Sequence, residues 1–84
     1  MIINVKAEHI ARGVKCAWSR CPVARSLRDL FPRGEITVLS DRFDSDVITV
    51  GDRTWVITKR LAAWIDRFDS GKPVSPATFS VKEW

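Results

Sequence analysis

The chain has 84 residues, of which 45% are hydrophobic and 29% are charged, and its formal net charge is +4. Two domains of this combined length would each lack a proper core, so we expect residues 1–84 to form a single domain without a separate cofactor-binding unit. No apolar run reaches the roughly 18 residues that a membrane-crossing helix needs, and Met1 to Lys6 lack the apolar stretch of a secretory signal. We therefore expect a protein of the cytoplasm that does not enter a membrane.

The first strand and a short helix are predicted at the amino terminus. Ile2 to Lys6 is short and β-branched, which is typical of a strand. Ala7 to Arg12 could form one or two helical turns, and Gly13 would end them. Residues 14–20 keep no hydrophobic period, so we predict a loop there.

A longer helix is predicted over residues 22–31. Pro22 suits the first helical position, because a proline lacks the N–H group that would be unpaired there. Val23 and Leu27 begin an apolar stripe with helical spacing. Pro32 cannot continue the hydrogen-bonding pattern, so the helix should end before it.

After residue 34 the hydrophobic period changes from helical to alternating. This change predicts three successive antiparallel strands, over 36–39, 47–50 and 54–57. Residues 40–46 are predicted to form a polar turn region between the first two strands. We expect Gly51 to Arg53 to join the last two strands as a three-residue hairpin loop.

A second full helix should begin after Thr58, which is a suitable N-cap. Gly71, with a proline two residues later, is the expected end of this helix. The tail from Val74 to Trp84 alternates in polarity and is predicted to add an edge strand. Within the helix that begins after Thr58, four apolar residues have the spacing of one helix face: Leu61, Trp64, Ile65 and Phe68.

These elements predict an α+β fold. An antiparallel sheet of three to five strands should pack against two main helices, in the order β-α-α-β-β-β-α-β. Both helix stripes and one sheet face should share one core. The core residues that we expect are Leu27, Trp55, Trp64, Ile65 and Phe68.

Three segments carry a resemblance to known proteins. They are Glu8-His9-Ile10-Ala11-Arg12-Gly13, Cys21-Pro22-Val23-Ala24 and Phe68-Asp69-Ser70-Gly71-Lys72-Pro73-Val74-Ser75-Pro76, the last followed by Phe79. In order and spacing the chain resembles short proteins encoded by bacteriophages and prophages. The resemblance implies no particular activity. It implies a small viral protein that acts in the cytoplasm of an infected bacterium, where such proteins interfere with host machinery or defence.

The charge along the chain is segregated, which bears on the kind of partner. Residues 1–34 hold seven basic and two acidic side chains, whereas residues 35–52 hold one basic and five acidic ones. A positive region of this kind favours phosphates, nucleic acids or acidic protein surfaces. The alternative is that the segregation serves solubility alone.

An anion site is predicted around the start of the 22–31 helix. Arg25 and Arg28 are three residues apart and project together from its exposed side, while Arg20 precedes its N-terminus, where free N–H groups favour an anion. Trp18 is placed to stack on a base. Alternatively, Trp18 closes the core and the arginines are solvated or pair with acidic groups. The candidate ligand-binding residues are Trp18, Arg20, Arg25, Arg28, Arg12 and Lys15.

Metal and covalent chemistry are disfavoured. His9, Cys16 and Cys21 offer zinc ligands, but their spacings do not match a zinc finger and structural zinc usually takes four ligands. No frame of Ser40 to Asp52 gives a calcium-binding loop. Cys21 beside a helix N-terminus could be a nucleophile, although packing of the helix start is the favoured interpretation. We expect no metal and no cofactor.

These features predict a small non-enzymatic binding protein. Its expected role is to sequester or block an anionic host component, either a nucleotide signalling molecule or a nucleic-acid-binding defence effector. The first alternative is a nucleic-acid-binding regulator that uses a basic helix face. A second alternative is an inhibitor that contacts only a host protein. An enzyme ranks last, and the sequence leaves open whether the protein forms a homo-oligomer.

Overall fold

The structure is a computed structural model that describes residues 1–15, 17, 19–39 and 46–84. Predictions that concern Cys16, Trp18 and residues 40–45 therefore lie outside the described residues. None of the described helices is long and apolar enough to span a membrane. The helices and strands are β1 (Ile2–Val5), α1 (Ala7–Arg12), α2 (Pro22–Leu30), β2 (Ile36–Leu39), β3 (Val47–Val50), β4 (Arg53–Val56), α3 (Lys59–Asp69), β5 (Ala77–Ser80) and β6 (Lys82–Glu83).

The strands form two antiparallel sheets, and the predicted α+β class is confirmed. The larger sheet has the order β2-β3-β4-β6, and the smaller one pairs β1 with β5. In the larger sheet Val38 lies opposite Ile48, and Ile48 lies opposite Trp55. Residues that face each other on adjacent strands share a sheet face, so these three buried side chains line the face toward the core.

The tail differs from the predicted single edge strand, because it contributes to both sheets. β5 pairs with β1, and after Val81 the chain continues as β6 at the edge of the larger sheet. Val81 itself exchanges two hydrogen bonds with Met1: its N–H donates to the Met1 carbonyl at 2.9 Å, and the terminal ammonium donates to its carbonyl at 2.8 Å. These backbone bonds connect the two ends of the chain beside the core.

The hairpin between β3 and β4 has a two-residue turn, so the predicted three-residue loop is wrong. Arg53 pairs with Val50 and belongs to β4. Only Gly51 and Asp52 lie between the strands, and Gly51 has φ = +60°. Tight two-residue hairpin turns require positive φ, which a glycine adopts without steric cost.

One cluster of buried residues joins both sheets to α2 and α3. It contains Leu27, Trp55 and Ile65, as predicted. Trp64 is half-buried at the border of this cluster, and Phe68 is buried with its ring stacked on Trp64 at 6.2 Å between centroids. The predicted core is therefore confirmed in its centre, whereas the two aromatic rings of α3 pack along its margin.

The ends of α3 follow the sequence signals. The Thr58 side chain accepts a hydrogen bond from the Leu61 N–H at 3.2 Å, as expected of an N-cap. After the helix, Gly71 has φ = +79°, a conformation that favours glycine at a helix end. The other full helix, α2, ends at Leu30, one residue before the predicted end.

Candidate anion-binding cleft

A cleft of about 450 Å³ lies where α1 and α2 meet. Three of its lining residues belong to the six candidates for ligand binding, and all three are arginines. The other lining residues include two carboxylates and the only histidine of the chain. From α1 come Glu8, His9 and Arg12, from the following loop Ser19, and from α2 Ala24, Arg25, Arg28 and Asp29.

His9 connects the two helices at the base of this cleft. Its ring is buried, and its Nδ1 accepts a hydrogen bond from the Lys6 N–H at 2.8 Å. An accepting nitrogen carries no proton, so the neutral ring must carry its proton on Nε2. Nε2 lies 2.8 Å from Asp29 Oδ2 and donates to it. The imidazole therefore stabilises the start of α1 and holds α1 against α2.

The arginines differ in how many of their donors are already used. Arg25 donates from Nε to the Arg20 carbonyl at 3.2 Å, which leaves its two terminal nitrogens. Arg28 donates from Nη1 to the Phe31 carbonyl at 3.3 Å, just beyond the end of α2. Arg12 makes no hydrogen bond or ion pair with another described residue. The cleft thus presents several guanidinium donors that a ligand can use.

Two of the remaining candidates, Arg20 and Lys15, do not line the cleft. Arg20 contributes its backbone carbonyl to the Arg25 contact, and its exposed side chain is not part of the lining. Lys15 lies at the carboxyl end of α3, where its Nζ is 3.1 Å from the point that a Cβ on Gly71 would occupy. A cation there is favoured by the helix dipole. Trp18 lies outside the described residues.

The N-terminus of α2 is capped within the chain, which differs from the free N–H groups that the prediction assumed. Cys21 Sγ accepts from the Ala24 N–H at 3.4 Å, and Pro22 has no N–H. All three residues are buried. The free N–H groups on which the prediction relied are thus capped by the chain itself, and an anion in the cleft would meet arginine side chains instead.

The environment of Cys21 agrees with the packing interpretation. Burial raises the pKa of the thiol, although hydrogen bonds from the first turn of α2 oppose that shift. His9 contacts Asp29, eight residues further along α2, and eight residues of helix span about 12 Å. Cys21 and His9 therefore do not form a nucleophile–base pair.

The Glu8, His9 and Asp29 side chains suit a metal ion poorly. Their candidate ligand atoms lie within 4.8 Å of one another. A metal bound to Nε2 would require the ring proton on Nδ1. That proton would face the Lys6 N–H, so two hydrogen-bond donors would point at each other. Two arginines of α2 and one of α1 line the same cleft, and their charge also disfavours a cation. The same bond to Lys6 argues against the zinc set of His9, Cys16 and Cys21, of which Cys16 is not described.

Sequence reasoning missed the two carboxylates and the histidine of the cleft. His9 and Asp29 are 20 residues apart, so no local pattern connects them. One signal was available: Glu8 and Arg12 are four residues apart on α1 and therefore share a helix side. That polar side of α1 faces the polar side of α2.

Comparisons with known protein families, with curated proteins and with solved structures found no match to this chain.

Proposed function

We propose that the cleft between α1 and α2 binds a compact phosphate-bearing ligand, a nucleotide, and holds it without turnover. The observation that carries this proposal is the convergence of Arg12, Arg25 and Arg28 from two helices on one cleft. Guanidinium groups bind phosphate through charge-assisted, often bidentate hydrogen bonds. Arg12 has no partner among the described residues, so its ligand contacts would replace only contacts with water.

A compact ligand is favoured over an extended nucleic acid. The volume of the cleft falls in the range of about 300–1,000 Å³ that is usual for small-molecule sites. Lys15, a basic residue of the first 34, lies at the end of α3 and does not line the cleft with the three arginines. A phosphate-tracking surface would need the basic residues in one continuous strip.

Binding without turnover is supported by the state of His9 and of Cys21, the one cysteine that the structure describes. Both ring nitrogens of His9 are engaged, one by a backbone N–H and one by Asp29. The Cys21 thiol is buried and caps α2. Neither group is positioned to act on a ligand in the cleft.

The biological role that we propose combines this site with the resemblance to phage proteins. A small protein made in an infected bacterium would sequester a nucleotide signalling molecule in the cytoplasm and so antagonise host defence. The arginines would hold the phosphate of that molecule.

The test is a calorimetric titration at several salt concentrations. The probes are GMP, AMP, a linear dinucleotide, a cyclic dinucleotide, and short single-stranded DNA and RNA. We expect at least one nucleotide to bind, with an affinity that declines gently as salt increases. An extended contact with six phosphates of a single strand would instead give a log–log slope of about −4.

Each alternative function predicts a different result in this titration. Tight DNA or RNA binding with that steep slope, and weak nucleotide binding, would favour the nucleic-acid-binding regulator. Absence of binding to every probe at low salt would contradict the anion site. The inhibitor of a host protein would then be the better account.

A further inference from the structure

We propose that the cleft selects guanine nucleotides because Glu8 binds the guanine base. This inference rests on the proposed function, since it assumes that the arginines hold the phosphate of the same ligand. It concerns Glu8, a charged group of the cleft that neither a phosphate nor the contact with His9 explains.

Glu8 is an unpaired carboxylate at the cleft. Its side chain is exposed, and one of its carboxylate oxygens lies within 4.8 Å of a ring nitrogen of His9 and of a carboxylate oxygen of Asp29. Glu8 makes no hydrogen bond or ion pair with another described residue, although three arginines line the same cleft. Asp29, by contrast, already accepts the proton of the His9 ring. Glu8 is therefore the carboxylate with both oxygens available.

The charge around Glu8 restricts what it can accept. An ionised carboxylate is only an acceptor, so its ligand must supply donors. A metal ion or an ammonium group is disfavoured because the three arginines of the cleft outnumber its two carboxylates, Glu8 and Asp29. A neutral pair of N–H donors would not be repelled, and it would pair with two carboxylate oxygens in the same bidentate way as a guanidinium.

Guanine fits this requirement among the common bases. Its N1–H and its exocyclic amino group are adjacent donors on the Watson–Crick edge. Adenine and cytosine place a ring acceptor beside their amino group, and uracil has one N–H between two carbonyls. A carboxylate would therefore meet at least one repulsive acceptor on each of the other three bases.

The experiment compares GMP and AMP on the wild type and on Glu8→Gln, by calorimetry at low salt. The wild type should bind GMP at least about tenfold more tightly than AMP, the discrimination expected of one bidentate pair. A glutamine amide offers one acceptor and one donor, which can pair with the amino group and N1 of adenine and equally with N1–H and O6 of guanine. Glu8→Gln should therefore remove the preference for GMP.

The matched control is Glu35→Gln. Glu35 is exposed before β2 and does not line the cleft, so this variant should keep the preference for GMP. Thermal melting of each variant reports whether the fold is retained.

The failures of the two proposals can be told apart. Equal binding of GMP and AMP to the wild type would overturn the guanine inference and leave the phosphate site intact. A folded Glu8→Gln variant that loses both nucleotides equally would overturn it as well, because Glu8 would then not contact the base. Absence of binding by both nucleotides to the wild type would overturn the proposed function and the guanine inference together.

Discussion

His9 of α1 donates from Nε2 to Asp29 of α2 across 2.8 Å, while the other nitrogen of its ring accepts from the backbone of Lys6. One buried side chain thereby joins a helix of only six residues to the longer helix beside it. Such a short helix is marginal by itself. The position of the α1 residues in the cleft consequently depends on this contact.

Removal of the imidazole should therefore destabilise the protein. We expect His9→Ala to cost about 2–3 kcal/mol, since it removes buried contacts and leaves the Lys6 N–H without its partner. Asp29→Ala should cost about 1 kcal/mol or less, because Asp29 is 60% exposed and water can replace it. Urea unfolding measures both. Equal stability of His9→Ala and the wild type would contradict the structural role of His9.

Trp64 should contribute through ring packing and one hydrogen bond. Its ring stacks on Phe68 and meets Phe79 edge-on, and its Nε1 donates to the Ser75 carbonyl at 3.0 Å. Since Trp64 is only half-buried, Trp64→Ala should cost about 3 kcal/mol, the lower end of the range for core tryptophans.

Trp64→Phe separates these two contributions. It keeps most of the ring contacts and loses the bond to Ser75, so we expect a cost of about 1 kcal/mol. Thermal and urea unfolding of the two variants provide the comparison. If both cost the same, the ring contacts do not carry the stability that we assign to them.

Cys21 should be an unreactive capping residue. Because burial raises the pKa of its thiol, the thiol stays protonated at neutral pH and should react with iodoacetamide only after unfolding. Cys21→Ser should cost at most about 1 kcal/mol, since a serine hydroxyl can cap α2 in its place. Peptide mapping by mass spectrometry distinguishes Cys21 from Cys16. Rapid alkylation of Cys21 in the folded protein would contradict this assignment.

The pKa shift of Cys21 also predicts a pH dependence. A thiol pKa that is higher in the folded state stabilises the protein at pH values below the ordinary pKa of cysteine. This contribution declines as the pH rises above that pKa. The wild type should therefore lose stability relative to Cys21→Ser in the alkaline range. A constant difference between the two proteins from neutral to alkaline pH would speak against it.

Glu83 should show the opposite dependence. The hydrogen bonds from Arg53, at 3.1 and 3.2 Å, lower the pKa of its carboxyl. A lowered pKa contributes stability at neutral pH, and this contribution disappears as pH falls through the folded-state value. Glu83→Gln should thus differ most from the wild type at neutral pH and low salt. An unchanged difference in strong acid would show that the ion pair is not its source.

Local patterns in the sequence were sufficient to predict most helices and strands. The cap at Thr58, the apolar stripes of α2 and α3 and the alternation of β2 to β4 are properties of neighbouring residues. The two sheets could not be predicted in this way. The pairing of Ile3 with Phe79 joins residues 76 positions apart, and the separate smaller sheet follows from that long-range register.

The same distinction applies to the cleft. Arg25 and Arg28 could be placed together because they share one helix side. The position of Arg12 and Glu8 in the cleft depends on how α1 packs on α2. The His9–Asp29 contact fixes that packing, and its two residues are 20 positions apart in the sequence. The capped N-terminus of α2 was missed because a cysteine is not among the usual capping residues.

The central claim is that a phosphate binds to the arginines of this cleft, and a pair of charge reversals tests it most directly. Arg12→Glu changes a cleft residue that bonds to no other described side chain, and Arg33→Glu makes the same change in charge at an exposed position outside the cleft. The measurement is the affinity for GMP by calorimetry at low salt. We predict that Arg12→Glu weakens binding more than about tenfold, because it replaces an attraction with a repulsion, whereas Arg33→Glu changes it by less than about twofold, since solvent screens an exposed charge outside the cleft. Equal losses in both variants, or no loss in Arg12→Glu, would contradict the claim.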